Sequence, residues 1–235
     1  MKLVDKCSVQ RLIKGCPSLE ELFLVFTCSK DEHGGTEVVD FSSASVKKPI
    51  LSFWEGECAI VVQSNNLESL DYQVRNLYRE HDVTINAPNL KYMTYHAPAA
   101  GAKFIRTLNS LIEANLALGW LYPPRSEDII EHLNTMPGVK SLCLEQHILE
   151  TLYVSGHLLP TFKYLTSLEL HASRWDEIVH VPCWKTLFCL LENAPNLEAL
   201  AFHGVGWDFI GENNEFESYF QEVFPACFLE HLKEI

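Results

Sequence analysis

The sequence lacks the features that define several broad classes of protein. Its longest uncharged apolar run, residues 114–124, is too short to cross a lipid bilayer. No cysteines have the C-x-x-C spacing, no N-x-S/T glycosylation acceptor occurs, and the first residues contain no apolar signal segment. These absences predict a cytoplasmic or nuclear chain that docks on no membrane.

Positive charge is scarce towards the end of the chain. The sequence has 18 Lys and Arg against 31 Asp and Glu, a net charge of −13, and no Lys or Arg lies between Lys185 and Lys233. Nucleic acid, a polyanion, would be repelled by that region. We therefore expect no nucleic-acid partner, and a basic surface on any partner that binds there.

The eight cysteines do not predict a disulfide framework. Most lie among apolar residues, as Cys143 and Cys189 do. A free cysteine in such surroundings behaves as a small buried hydrophobe, although the recurring leucine template, L-x-x-L-x-L, places Cys143 beside its second leucine, on the outward side. This use of cysteine is typical of a reducing compartment.

Leucine, in contrast, is abundant, with 32 among 235 residues, and the template L-x-x-L-x-L recurs along the chain. The last two leucines of the template face one side of a strand, and the first lies in the turn before it. Copies begin at Leu19, Leu67, Leu90, Leu111, Val139, Leu165 and Leu197, with a doubtful copy at Val46 and a weaker one at Leu229. Start positions 21 to 32 residues apart are typical of, or just longer than, leucine-rich repeats.

The recurring strand predicts the fold. One such strand cannot bury its apolar face alone, whereas stacked copies form a parallel sheet over a continuous leucine core. We predict an α/β fold with a single leucine-rich-repeat domain over residues 1–235, built from about eight irregular repeats of 21–32 residues. This solenoid would have a curved parallel sheet on its concave side and short helices or outer strands on its convex side.

The segments between the copies predict two kinds of structure on the convex side, helices and outer strands. Helices are expected over residues 8–15, 126–135 and 184–193, each ended by a turn with proline, and Ser126 is the expected N-cap of the second. Shorter repeats leave little room for a helix, and their β-rich residues 58–62 and 83–85 predict outer strands. Residues 28–45 and 204–218 have the composition of surface loops.

Repeated phrases in the chain resemble the leucine-rich repeats of plant F-box proteins of the FBD type. They are CPSLEEL at residues 16–22, APNLKYM at 87–93 and APNLEAL at 194–200, with similar phrases at 108–116 and 229–235. The resemblance implies a non-enzymatic domain that binds a target protein and, joined to an F-box, selects it for ubiquitylation.

Two departures from that family shape the expected partners. The chain starts directly in a repeat, without the F-box that would dock the Skp-type adaptor of a ubiquitin ligase, and it ends where the FBD segment would begin. We therefore expect a protein target for this chain, and a Skp-type adaptor only for a longer form with an F-box. A truncated remnant, or a regulatory repeat protein without a ligase connection, is the alternative.

Patterns for catalysis or metal binding are weak. His171, His180 and Cys183 lie close in sequence but lack a second ligand pair, and Pro182 interrupts any common helical face. No G-x-S-x-G or similar signature surrounds a nucleophile. We expect no metal site, no cofactor and no catalytic residue, with an enzyme that uses a Cys and His pair as the remaining alternative.

The residues between the leucines are the candidate site. In each template the positions that flank the second leucine point away from the core. Aromatic and histidine side chains there are suited to anchoring a protein partner. The predicted partner-binding residues are Glu21, Phe23, Asp71, Tyr92, Thr94, His96, Glu113, Asn115, Glu145, Glu169, His171 and His203.

Overall fold

The structure, a computed structural model, describes residues 6–27, 37–43, 45–55, 58–74, 82–97, 102–104, 107–118, 125–155, 159–172, 184–204 and 231–233. Its helices are α1 (Lys6–Gly15), α2 (Ser126–Asn134), α3 (Gln146–Ser155) and α4 (Trp184–Glu192). No helix in these ranges is long and apolar enough to cross a membrane.

Eight parallel strands form the main sheet. In spatial order they are β1 (Glu21–Thr27), β3 (Lys48–Glu55), β5 (Ser69–Val74), β7 (Tyr92–Ala97), β9 (Glu113–Leu118), β10 (Ser141–Glu145), β11 (Ser167–His171) and β12 (Ala199–His203). Each template copy from Leu19 to Leu197 supplies one strand, including the doubtful copy at Val46. The predicted parallel α/β fold is confirmed.

A second sheet backs the first part of the main sheet. Its four parallel strands are β2 (Glu37–Asp40), β4 (Cys58–Gln63), β6 (Asp82–Asn86) and β8 (Ala102–Phe104), in that order. The outer strands predicted at 58–62 and 83–85 are confirmed as β4 and β6. Strand β2 shows that residues 28–45 are not wholly a loop. Val39 and Phe41, two residues apart, are both buried in the core, and this burial favours a strand despite the polar residues around them.

Helices back the last part of the main sheet. Helices α2, α3 and α4 pack one against the next and bury apolar side chains such as Ile129, Ile148 and Leu187 in the same core as the strands. The helices predicted at 8–15, 126–135 and 184–193 are confirmed to within two residues at either end. Helix α3 was not predicted.

The start of α2 differs from the expectation in one detail. Arg125, not Ser126, is the N-cap residue, and it makes no side-chain cap hydrogen bond. Ser126 is buried at the first helical position. The Arg125 guanidinium lies 3.1 Å from the Asp128 carboxylate, in the helical turn where acidic residues interact favourably with the helix dipole.

An aromatic column in the core joins the two parts of the molecule. Tyr72 and Tyr95 are neighbours in register and fully buried, with ring centroids 5.3 Å apart. Phe53 lies 5.3 Å from Tyr72 on one side, and His132 of α2 lies 5.9 Å from Tyr95 on the other. Burial raises the pKa of Tyr95 and lowers the pKa of His132, so both side chains are held neutral.

Shared carbonyls connect successive copies at the edge where the strands begin. The Glu20 carbonyl accepts hydrogen bonds from the N–H groups of Lys47 and Lys48, and the same arrangement recurs at each following strand. The last hydrogen bond of this series in the described residues runs from the Lys233 N–H to the Glu198 carbonyl, at 2.7 Å. This places Leu232 where Leu197 lies in the preceding copy, so the copy predicted at Leu229 begins instead at Leu232.

Candidate functional site

The outward face of the main sheet, opposite the core, carries three rows of side chains in register. Strand residues alternate between the two faces, so the rows are two residues apart. The first row is Glu21, Lys48, Ser69, Tyr92, Glu113, Ser141, Ser167 and Ala199; the second is Phe23, Ile50, Asp71, Thr94, Asn115, Cys143, Glu169 and Ala201; the third is Val25, Ser52, Gln73, His96, Ala117, Glu145, His171 and His203.

All twelve predicted partner-binding residues lie on this outward face, and none is buried. Glu21, Tyr92 and Glu113 are in the first row, Phe23, Asp71, Thr94, Asn115 and Glu169 in the second, and His96, Glu145, His171 and His203 in the third. The period of two residues was enough to find their orientation. Their role in binding stays a prediction.

The first strands carry the apolar part of the face. Phe23 is 65% exposed, and its neighbour in register, Ile50, is 39% exposed. Tyr92, at 45%, is exposed in the first row. Sequence reasoning missed Ile50 because Pro49 occupies the position of the template's second leucine, although the alternation from Leu51 onwards was a usable signal.

Polar contacts join neighbours in the middle of the face. The Gln73 side-chain amide donates to the Asp71 carboxylate at 2.9 Å. His96 Nε2 lies 3.3 Å from the Asn115 side-chain oxygen, across β7 and β9. These bonds restrict the rotamers of four outward side chains, which lowers the entropy cost of using them to bind a partner.

The last three strands carry a cluster of acidic, histidine and cysteine side chains. His171 Nε2 and His203 Nε2 lie 3.7 and 3.4 Å from one Glu169 carboxylate oxygen. The ligand atoms of Cys143, Glu169 and His171 all lie within 4.8 Å of one another. Two residues after Cys143, on the same face of β10, the Glu145 carboxylate lies 3.2 Å from His147 Nδ1.

Cys143 lies on the outward face, as its position beside the second leucine of the template predicts, whereas the apolar sequence surroundings of Cys143 and Cys189 favoured burial. Cys143 is only half-buried and points outward, because it alternates with the buried Leu142 and Leu144, and Cys189 is exposed on α4. Both are free thiols, as is the exposed Cys16. His180 and Cys183, weighed as metal ligands from the sequence, lie outside the described residues.

Comparison with known proteins shows the family of this chain. One F-box/LRR-repeat protein of Arabidopsis thaliana is 30% identical over 198 residues, 83% of this chain. Another is 29% identical over 220 residues, 86% of the chain, and an F-box protein of the same plant is 29% identical over 212 residues, 85% of the chain. This chain is a relative of the plant F-box/LRR-repeat proteins.

The relationship covers only part of those plant proteins. The chain spans 38, 40 and 41% of the length of the three relatives. No family model matches the chain, and no solved structure matches it. The similarity agrees with the strand copies that form the main sheet.

The thiol on the outward face of this F-box/LRR-repeat relative is poorly suited to covalent catalysis. Burial raises the pKa of Cys143 to about 12, and the negative charges of Glu169, Glu145 and Glu113 add to the effect. At neutral pH the group is therefore a protonated thiol, which is a weak nucleophile.

Proposed function

We propose that this chain is a non-enzymatic protein-recognition module whose outward face binds a protein target. In this proposal the eight copies form one leucine-rich-repeat domain, a solenoid in which the main sheet lines the concave side. The support is the outward face itself, in which exposed and half-buried side chains follow one another across eight strands on a buried scaffold. Repeat proteins use such extended surfaces for binding.

The anchors of this interaction are the exposed aromatic residues. Phe23 and Tyr92 expose large rings on rigid strands, and aromatic residues dominate the binding energy of many interfaces. The polar residues between and beyond them would determine which target fits, since charged and hydrogen-bonding groups set specificity.

A role in ubiquitin ligation is the finer part of the proposal. The names of the relatives include both an F-box and leucine-rich repeats. In a longer form that carries an F-box, the Skp-type adaptor would bind the F-box while the repeats select the target in the cytoplasm or nucleus. This chain, tested by itself, would bind the target without the adaptor.

Differential capture from plant extract tests the proposal. The chain, a Phe23→Ala/Tyr92→Ala variant and a Tyr164→Ala control would each be immobilised, and retained proteins quantified by mass spectrometry. Tyr164 is 54% exposed but lies in the turn before β11, off the outward face. Surface truncations of this kind change stability by only about 0.5 kcal/mol, so all three chains should fold.

The expected result is at least one protein retained by the wild type and the control but reduced about tenfold on the double variant. Equal retention of every protein by all three chains would contradict recognition through this face. A separate binding test with the Skp-type adaptor addresses the ligase role. The adaptor should bind a longer form with an F-box, and we expect no binding to the repeats alone.

A further inference from the structure

The acidic and histidine cluster on β10, β11 and β12 has the composition of a transition-metal site. The second row places Cys143, Glu169 and Ala201 side by side, and the third places Glu145, His171 and His203 side by side. Sulfur, imidazole nitrogen and carboxylate oxygen together are the ligands that Zn²⁺ accepts. Calcium or magnesium would require oxygen ligands in larger number.

The spacing of the ligand atoms fits one ion. Two atoms bound to the same tetrahedral Zn²⁺ at about 2.0–2.1 Å are separated by roughly 3.4 Å. Glu169 lies 3.4 Å from His203 Nε2 and 3.7 Å from His171 Nε2, close to the separation expected of two ligands on one ion. Cys143 Sγ lies within 4.8 Å of the Glu169 and His171 ligand atoms, so these three residues form the compact part of the cluster.

The scaffold keeps these ligands together and open to solvent. Adjacent strands hold equivalent residues about 4.8 Å apart, and Leu142, Leu168 and Leu200 beneath them are buried. The side chains of Glu169, His171 and His203 are 43, 45 and 50% exposed, so an ion can reach them. The small side chain of Ala201 leaves room beside Glu169.

The charge of the neighbourhood also favours a cation. Glu145 is the third-row neighbour of His171, and Glu113 lies on the same face in β9. The His171 and His203 rings also lie close together, with ring centroids 4.6 Å apart.

We propose that Cys143, Glu169, His171 and His203 form a surface Zn²⁺ site that links β10, β11 and β12. Zn²⁺ binding is tested on the chain without a protein target, since Glu169, His171 and His203 are also among the predicted partner-binding residues. Its ligands come from three copies of the repeat, so the ion would fasten the last part of the main sheet together.

Metal titration of the chelator-treated whole chain tests this site. Isothermal titration with Zn²⁺ should show one ion bound through this site, and His171→Asn and His203→Asn should each weaken binding about tenfold or more. His96→Asn is the matched control, because it changes a histidine of the same face and row outside the cluster. Undiminished affinity in both cluster variants, or no saturable binding, would overturn the proposal.

Cobalt supplies a second readout that depends on the thiolate. Co²⁺ bound to the wild type should show a near-ultraviolet thiolate-to-cobalt charge-transfer band. Cys143→Ser should abolish the band, whereas Cys189→Ser should retain it. A band that survives in Cys143→Ser would assign the metal to another cysteine and overturn the site. Circular dichroism of each variant confirms folding, which these surface changes should not affect.

Discussion

The two parts of the main sheet present the same outward geometry on different backing. Strands β1, β3, β5, β7 and β9 lie over the second sheet, and β10 to β12 lie over α2, α3 and α4. Register nevertheless continues from β9 into β10 without interruption, through pairs such as Asn115 and Cys143. The outward rows are therefore set by the template strand alone, and the backing can change without moving them.

The length of the segment between two copies largely determines whether that segment forms a strand of the second sheet or a helix. Copies 21 to 23 residues apart are backed by strands, and most copies 26 to 32 residues apart are backed by helices. A strand covers about 3.3 Å per residue and a helix only 1.5 Å, so a helical return needs more residues. The first spacing of 27 residues carries β2 instead, which shows that length permits a helix without requiring one.

The largest effect is expected from breaking the aromatic column that joins the two parts. Tyr95→Ala should lower the free energy of unfolding by about 3–5 kcal/mol, because it leaves a cavity between Tyr72 and His132. Thr94→Ala, one residue away on the outward face, should change it by only about 0.5 kcal/mol. Urea unfolding of both variants measures this. Equal losses of unfolding free energy in the two variants would mean that the aromatic column does not stabilise the junction between the two parts.

A smaller loss is expected at a turn contact between the two parts. A Cβ added to Gly138 would lie 2.9 Å from the Asn109 backbone oxygen, closer than van der Waals contact allows. Gly138→Ala should therefore destabilise the fold by about 1–3 kcal/mol. Gly15→Ala, with no atom within 4 Å of the added carbon, is the matched control and should show no comparable shift of the urea midpoint. Equal shifts would indicate that the turn relaxes freely.

Protonation of His132 should weaken the junction in mildly acidic solution. Burial lowers its pKa in the folded chain from the ordinary 6.5, so the unfolded chain binds the proton first as pH falls. Stability should thus decrease as pH falls below about 6.5, and less steeply in His132→Gln. Unfolding free energies at several pH values test this, and identical pH slopes for the two chains would exclude His132 as the cause.

The smallest effects are expected at the exposed ion pairs that connect the strand edge at either end of the sheet. Glu20 lies 2.6 Å from Lys47, and Glu198 lies 2.9 Å from Lys233. The Lys47 hydrogen bond lowers the pKa of Glu20, so its slight contribution is lost as pH falls through that lowered pKa. Glu20→Gln and Glu198→Gln should each lower the urea midpoint slightly at low salt and not at high salt. A salt-independent loss would point to packing.

Much of the main sheet could be predicted from the sequence because its signal is local. Two leucines two residues apart orient a strand, and a helix followed by proline marks a return segment. Strands β2 and β8 escaped prediction because they are stabilised by pairing with distant strands. Helix α3 escaped because it follows β10 directly, with no proline or turn residue to separate them.

The outward residues were found individually, whereas their clusters were not. Glu145, His171 and His203 are 26 and 32 residues apart, and only the aligned template places them in one row. Each of these residues lies six positions after the start of its copy, at Val139, Leu165 or Leu197, so an alignment of the three copies would have placed them side by side. The distances within the cluster depend on rotamers, which no sequence pattern specifies.

Hydroxyl-radical footprinting of the chain with its captured target tests the central claim most directly. The account predicts that Phe23 and Tyr92 lose reactivity when the target binds, because the outward face is covered, while Tyr164 in the turn before β11 stays reactive. Unchanged reactivity of Phe23 and Tyr92 together with protection of Tyr164 would contradict it and move the binding surface off the main sheet.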